Sequence, residues 1–127
     1  MTLAPISRPG HSSVRLLIAD DRSRTRRALR ALLGARAGFE VVGEAADGEE
    51  ALTRIEELRP ELVILDVRMP RLDGIAATAR IKARWPTIRV VVHSLATDRR
   101  EEALAAGADA FVPKGGRAEE LVEALRP

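Results

Sequence analysis

Asp66 closes a run of four aliphatic residues, Leu62-Val63-Ile64-Leu65, and is followed by Met69-Pro70 and Asp73-Gly74. Such a run suits a strand buried on both faces of a parallel sheet. The proline prevents the strand from running on or a helix from starting at once. Asp73 then fits the N-cap of the next helix. This places Asp66 at the carboxyl end of a central strand, where open α/β sheets carry their chemistry. From this stretch alone, a purely structural carboxylate is the alternative.

Two further carboxylates, Asp20-Asp21, end an earlier aliphatic run, Val14–Ala19. Three carboxylates at one sheet edge repel one another and call for a cation among them. With no cysteine in the chain and no histidine in these stretches, oxygen ligands favour a hard ion, Mg2+ over zinc. Magnesium takes one or two carboxylates and keeps room for waters and phosphate oxygens. Lys114 and Ser94 end two later strands and supply a point charge and a hydroxyl suited to a phosphoryl group. Asp66, lying between them and the acidic pair, could attack phosphorus and form an acyl phosphate.

The elements that must position these groups alternate strand and helix. After Val14–Ala19, Ser23 is the expected cap of a helix with Ala28, Leu29, Leu32 and Leu33 on its apolar face. Arg24, Arg26, Arg27 and Arg30 take its other positions, as a solvated face or a docking surface for an acidic partner. Phe39–Ala45 reads as a shorter, more polar edge strand. Asp47-Gly48-Glu49-Glu50 reads as a capping box, opening a helix with Ala51, Leu52, Ile55 and Leu58 inward. A third helix is predicted from Asp73 to about Trp85, with Trp85 packing at its end and Pro86 stopping it. Ile88–His93 forms a fourth strand, followed by Ser94, and a fourth helix runs from Thr97-Asp98 to Ala106. Ala110–Val112 is a fifth strand leading to Lys114. Glu119 and Glu120 open a last helix whose apolar face is Leu121, Val122 and Leu125. His93 points away from Ser94 across the strand and is assigned to packing.

Five βα repeats with right-handed crossovers give an α/β fold. The economical form is a flavodoxin-like doubly wound (βα)5 sandwich, a parallel five-stranded sheet of order 2-1-3-4-5. Its switch point falls between the strands ending in Asp20-Asp21 and Asp66. The 127 residues suffice for one domain, with residues 1–13, rich in Pro, Gly and Ser, read as a disordered leader. His11 lies in that leader and is read as inert. Only 2% of residues are aromatic, so the core is aliphatic and alanine-rich. The absence of cysteine, of a transmembrane-length apolar run and of a signal-peptide core predicts a cytoplasmic protein. The net charge of +2, from 21 basic and 19 acidic residues, gives no ground for nucleic-acid binding.

Taken in order, Asp20-Asp21, Asp66 with Met69-Pro70 and Asp73-Gly74, Ser94 and Lys114 resemble the receiver domain of two-component response regulators. The resemblance covers Val14 to Arg126, nearly the whole chain. Val41–Ala51 and Ala106–Lys114 resemble the subgroup carrying a LuxR-type (NarL/FixJ-like) DNA-binding domain. The resemblance implies that Asp66 is the phosphoacceptor, charged by a sensor histidine kinase or a small phosphodonor. It implies that Asp21 binds Mg2+ directly and Asp20 largely through water, with Asp66 and the Arg68 backbone carbonyl completing the protein ligands. Lys114 would pair with Asp66 and then with the phosphate. Ser94 would move toward the phosphate and let Phe111 turn inward, remodelling the surface of the fourth helix, fifth strand and fifth helix. It further implies homodimerisation on phosphorylation, no DNA contact by this domain itself, no membrane contact, and output through a domain beyond this chain. The catalysis implied is limited to its own phosphorylation and dephosphorylation.

Two features depart from the family pattern. Gly115 follows Lys114 where the family often has a proline after a cis bond; a non-proline cis bond costs ~2.5–4 kcal/mol, so none is expected here. Arg22 and Arg68 crowd the acidic site and are expected to pair with Asp20, Asp21 or Asp66 at rest. The alternatives are a stand-alone or phosphorylation-independent receiver acting as an interaction module, and an aspartyl-nucleophile phosphatase. The latter wants a second Asp two residues after the nucleophile, where this chain has Arg68.

Overall fold

The computed structural model describes residues 13–126. The expected leader, apart from Ser13, and His11 within it lie outside the described residues. Strands β1 (Val14–Ala19), β2 (Phe39–Ala45), β3 (Leu62–Leu65), β4 (Arg89–Ser94) and β5 (Ala110–Pro113) alternate with helices. These are α1 (Ser23–Gly34), α2 (Gly48–Leu58), α3 (Gly74–Arg84), α4 (Arg100–Ala105) and α5 (Ala118–Leu125). The sheet is parallel throughout, in the order β2-β1-β3-β4-β5. This is the flavodoxin-like doubly wound arrangement, with its switch point between β1 and β3.

The alternation of strand side chains builds two cores, one on each face of the sheet. Leu17, Ala19, Val63, Leu65, Val90 and Val92 pack with Ala51, Ile55, Ala77, Ile81 and Ala103 of α2, α3 and α4. Leu16, Ile18, Leu62, Ile64 and Val91 pack with Leu29 and Leu33 of α1 and Leu121, Val122 and Leu125 of α5. All four residues of β3 are buried, as a strand covered on both sides requires. Because the same period continues to the strand ends, the groups just beyond β1 and β3 meet at one rim.

Helix ends are closed partly by side chains from strands. The Arg15 guanidinium donates to the carbonyls of Leu58 and Arg59 at 2.8 Å each, capping α2. Arg89 does the same for the Ala124 carbonyl of α5 at 2.8 Å. Asp47 accepts from the Glu50 amide at 2.8 Å, and the Glu50 carboxylate accepts in turn from the Ala46 amide at 2.7 Å. The capping box is therefore reciprocal, one residue wider than its usual form. Trp85 packs against the core edge with the Arg84 guanidinium over its ring at 4.6 Å.

Three local expectations are corrected. The residue before α1 is Arg22, with no side-chain cap, and Ser23 is already helical; the Arg22 carbonyl starts the ladder by accepting from Arg26 at 3.1 Å. Ala28 is exposed, and the inward face of α1 narrows to Leu29 and Leu33 with Leu32 half-buried. The expected start of the fourth helix is a 3₁₀ turn, Thr97–Arg99, before α4 proper.

Candidate functional site

Asp20 and Asp66 leave β1 and β3 side by side, and the Asp66 amide donates to the Ala19 carbonyl at 3.1 Å. Both carboxylates are buried, whereas Asp21 is exposed. Oxygen atoms from all three lie within 4.8 Å of one another. Each buried carboxylate is held at both oxygens. Asp20 Oδ1 accepts from the Arg22 amide at 2.9 Å and Asp66 Oδ1 from the Val67 amide at 2.7 Å. The remaining oxygens, Asp20 Oδ2 and Asp66 Oδ2, accept from Lys114 Nζ at 2.7 and 2.9 Å.

Lys114 reaches this point because its amide donates to the Ser94 carbonyl at 3.0 Å, extending the β4–β5 pairing by one residue. Burial alone would lower the Lys114 ammonium, but its hydrogen bonds to Asp20 and Asp66 outweigh that and raise it above 10.5. It is a fixed cation at neutral pH. Gly115 follows with φ of +90°, and no described peptide bond is cis. Glycine suits that left-handed geometry.

Ser94 is buried, with its Oγ accepting from the Ala96 amide at 3.1 Å. The hydroxyl keeps its own proton for a further acceptor. Ser94, Lys114, Asp66 and Asp21 line one cavity of about 260 Å³ together with Arg22 and Arg68. Phe111 is buried in the core on the α2–α3–α4 side of the sheet. His93 falls on the α1/α5 side of the sheet, opposite Ser94, with a buried Nδ1 lacking a hydrogen-bond partner. Burial, followed by the Lys114 charge, lowers the His93 imidazole below 6.5, so it is neutral.

The loop carrying Arg68 is clamped at both ends. The Gly74 amide donates to the Val67 carbonyl at 2.7 Å, and a Cβ at Gly74 would lie 1.9 Å from the Asp66 carbonyl oxygen. Asp73 caps α3 by accepting from the Ala76 amide at 2.8 Å. Arg71, at φ of +67°, donates through Nε to the buried Asp47 Oδ2 at 2.9 Å, tying the loop to the start of α2. Sequence reading missed this Asp47–Arg71 tie, since nothing local links residues 24 apart. Its one trace in the sequence is the Asp47 capping box, and nothing there marks Arg71.

The expected pairing of Arg22 and Arg68 is corrected. Among the described residues, neither guanidinium forms an ion pair or hydrogen bond; Lys114 takes the place assigned to them. The Asp20 and Asp66 carboxylate oxygens are already taken by the Arg22 and Val67 amides and by Lys114 Nζ, and both arginine side chains are exposed at the cavity mouth. The donor set itself, three carboxylates and no thiol or imidazole, fits a hard divalent cation.

A doubly wound sheet with paired acidic strand ends and a lysine from β5 defines a class that the comparisons identify. The response regulator receiver domain model matches residues 16–126. The response regulator domain of CheB from Thermotoga maritima superposes with a TM-score of 0.85 at 34% identity, over 91% of this chain and 95% of that one. A LuxR-family DNA-binding response regulator from Staphylococcus aureus gives 0.81 at 33% identity, over 87% and 94%. Over 104 residues the chain is 42% identical to a protein-glutamate methylesterase/protein-glutamine glutaminase of Alkalilimnicola ehrlichii, covering 80% of this chain and 27% of that protein. The chain belongs to the response regulator receiver domain family. It spans between 27% and 56% of the length of the curated relatives it matches first.

Proposed function

We propose that Asp66 is a phosphoacceptor, charged by the phosphohistidine of a sensor histidine kinase or by a small phosphodonor. The observation that carries this is Asp66 lining a cavity with its Oδ2 hydrogen-bonded to Lys114 at 2.9 Å, beside two more carboxylates. Asp66 Oδ2 attacks phosphorus, forming an O–P bond. The P–N bond of the phosphohistidine breaks, and its electron pair returns to the imidazole. Lys114 Nζ shifts from its carboxylate partners to a phosphoryl oxygen, and the Ser94 hydroxyl donates to another.

Asp20, Asp21, Asp66 and the Arg68 backbone carbonyl are the residues that would hold Mg2+. Bound there, the ion supplies positive charge to the phosphoryl oxygens. Asp21, the exposed member, would be the direct ligand and Asp20 would act largely through water. Ser94 moving toward the phosphate withdraws its oxygen from the Ala96 amide, loosening the turn that leads to α4. Phe111, in the same core cluster as Ala96 and Ala103, carries that change to the α4–β5–α5 surface. That surface, or α1, serves for partner or homodimer contacts.

The receiver unit spans residues 14–126, preceded by a leader, and works in the cytoplasm. No described helix is long and apolar enough to cross a membrane. The LuxR-family relative, a DNA-binding response regulator, supports control of transcription through an output domain outside this chain. The test is an NMR titration with fluoroberyllate and Mg2+. The expected result is a saturable shift of the Ser94, Ala96, Phe111 and Lys114 amides, absent in Asp66→Asn. Unperturbed amides in the wild type would sink the reading.

A further inference from the structure

The mouth of the Asp66 cavity carries two guanidinium groups whose role the acceptor chemistry leaves unassigned. Arg22 and Arg68 are both exposed and both line the cavity that holds Asp66, Ser94 and Lys114. Arg26 and Arg30 pair with Glu44, Arg71 with Asp47 and Arg99 with Glu102, while Arg24, Arg27, Arg100 and Arg117 have no ion pair among the described residues but do not line this cavity. Among the described residues, Arg22 and Arg68 have no such partner, although three carboxylates stand close by. They come from different strand ends, after β1 and after β3, so they flank the cavity.

Charge gives this placement a consequence. Three carboxylates and Lys114 leave the floor of the site with a formal charge of −2. The Mg2+ that these carboxylates would hold brings the floor to a formal charge of zero, so the floor has no net charge with which to draw in an anionic phosphodonor. Two unpaired guanidinium groups at the rim then give the site a net formal charge of +2 and present planar donors suited to phosphate oxygens. Exposed charges act over about 10 Å at 0.1 M ionic strength, enough to reach across a cavity of this size. A large protein donor brings an interface of its own; a small donor has little beyond its charge to hold it.

We infer that Arg22 and Arg68 form a cationic rim that selects dianionic small phosphodonors of the acyl phosphate class for Asp66. This rests on Asp66 being the acceptor. The donor's phosphorus forms a bond to Asp66 Oδ2, its bond to the acyl oxygen breaks, and the carboxylate leaves with the electron pair. The arginines touch neither the breaking nor the forming bond. They set how often a dianion arrives and how it is held, and so govern donor choice.

The test compares two donors that deliver the same group. Acetyl phosphate is a dianion near neutrality, whereas phosphoramidate carries less negative charge. Rates of adduct formation with Mg2+ are measured by intact-protein mass spectrometry for wild type, Arg22→Ala/Arg68→Ala and Arg22→Lys/Arg68→Lys, at low and high salt. Removing both arginines is expected to slow acetyl phosphate roughly tenfold at low salt. The fall with phosphoramidate is expected to stay within about threefold, since attraction scales with donor charge. The lysine variant keeps most of the rate, and wild type and alanine variant converge at high salt. An unchanged acetyl phosphate rate, an equal fall with both donors, or a difference indifferent to salt overturns the rim. Absence of any adduct on the wild type with either donor overturns the acceptor reading instead.

Discussion

Lys114 Nζ lies 2.7 Å from Asp20 Oδ2 and 2.9 Å from Asp66 Oδ2, one ammonium bridging the carboxylates of two neighbouring strands. With all three side chains largely buried, the lysine offsets a repulsion that would otherwise pull the rim apart. Replacing one member of such a group leaves buried charge uncompensated. Lys114→Met is expected to lose ~2–4 kcal/mol in urea denaturation with EDTA present, and Mg2+ should recover part of it. Because the folded Lys114 titrates above 10.5, its contribution is complete below that pH and fades as pH rises through the folded value. The gap between wild type and variant should therefore hold steady at neutral pH and narrow only in strong alkali.

His93 works in the opposite sense. Its folded imidazole resists protonation, chiefly through burial and then through Lys114, while the unfolded chain takes up a proton near 6.5. Stability should fall as pH drops below 6.5, before the carboxylates titrate. His93→Phe removes the unpartnered Nδ1 and should flatten that part of the profile. A variant whose urea midpoint keeps the wild-type dependence between neutrality and the carboxylate range would contradict this.

Gly74 lets the start of α3 press against the backbone of the acidic strand. In Gly74→Ala the new methyl group meets the Asp66 carbonyl at 1.9 Å and Val67 Cα at 2.9 Å. The better helix propensity of alanine, up to ~1 kcal/mol, is outweighed by an overpacking penalty of ~1–3 kcal/mol or more. Gly34→Ala is the matched control, since nothing lies within 4 Å of its new methyl group. Thermal melts should move down for Gly74→Ala and stay level or rise for Gly34→Ala.

Asp47 joins the cap of α2 to the loop that carries Arg68. The Glu50 amide, and after it Arg71, hold its carboxyl below the usual range against the opposing effect of burial. Asp47→Ala should cost about 1–2 kcal/mol, most of it the lost cap. Arg71→Ala should cost only a few tenths to 1 kcal/mol because the arginine is 70% exposed. Arg71→Gly should be better tolerated than Arg71→Ala, since φ there is +67°. Urea midpoints of the three variants give the ranking directly.

Most of the fold was legible because period and punctuation agreed. The bounds of β1 and β3 follow from aliphatic runs that stop at a carboxylate, and those of β2 from Gly38 before it and the Asp47 cap after it. Asp20, Asp21, Asp66, Ser94 and Lys114 meet because each ends its strand, and topology alone brings strand ends together. What failed was local. Ser23 has the chemistry of a cap, yet the helix starts one residue earlier, and the Arg22 carbonyl begins the ladder. The charged neighbours Arg22 and Arg68 looked like natural partners for the carboxylates, whereas the partner comes from 94 residues away in sequence. The Asp47–Arg71 tie depends on a left-handed arginine that no periodicity reveals.

The most direct test of the account is intact-protein mass spectrometry after incubation with acetyl phosphate and Mg2+, beside Asp66→Ala and an EDTA control. The account predicts one phosphoryl adduct on the wild type, absent in both controls. No adduct on the wild type, or an adduct that persists in Asp66→Ala, would contradict it and leave a receiver that works without phosphate on Asp66.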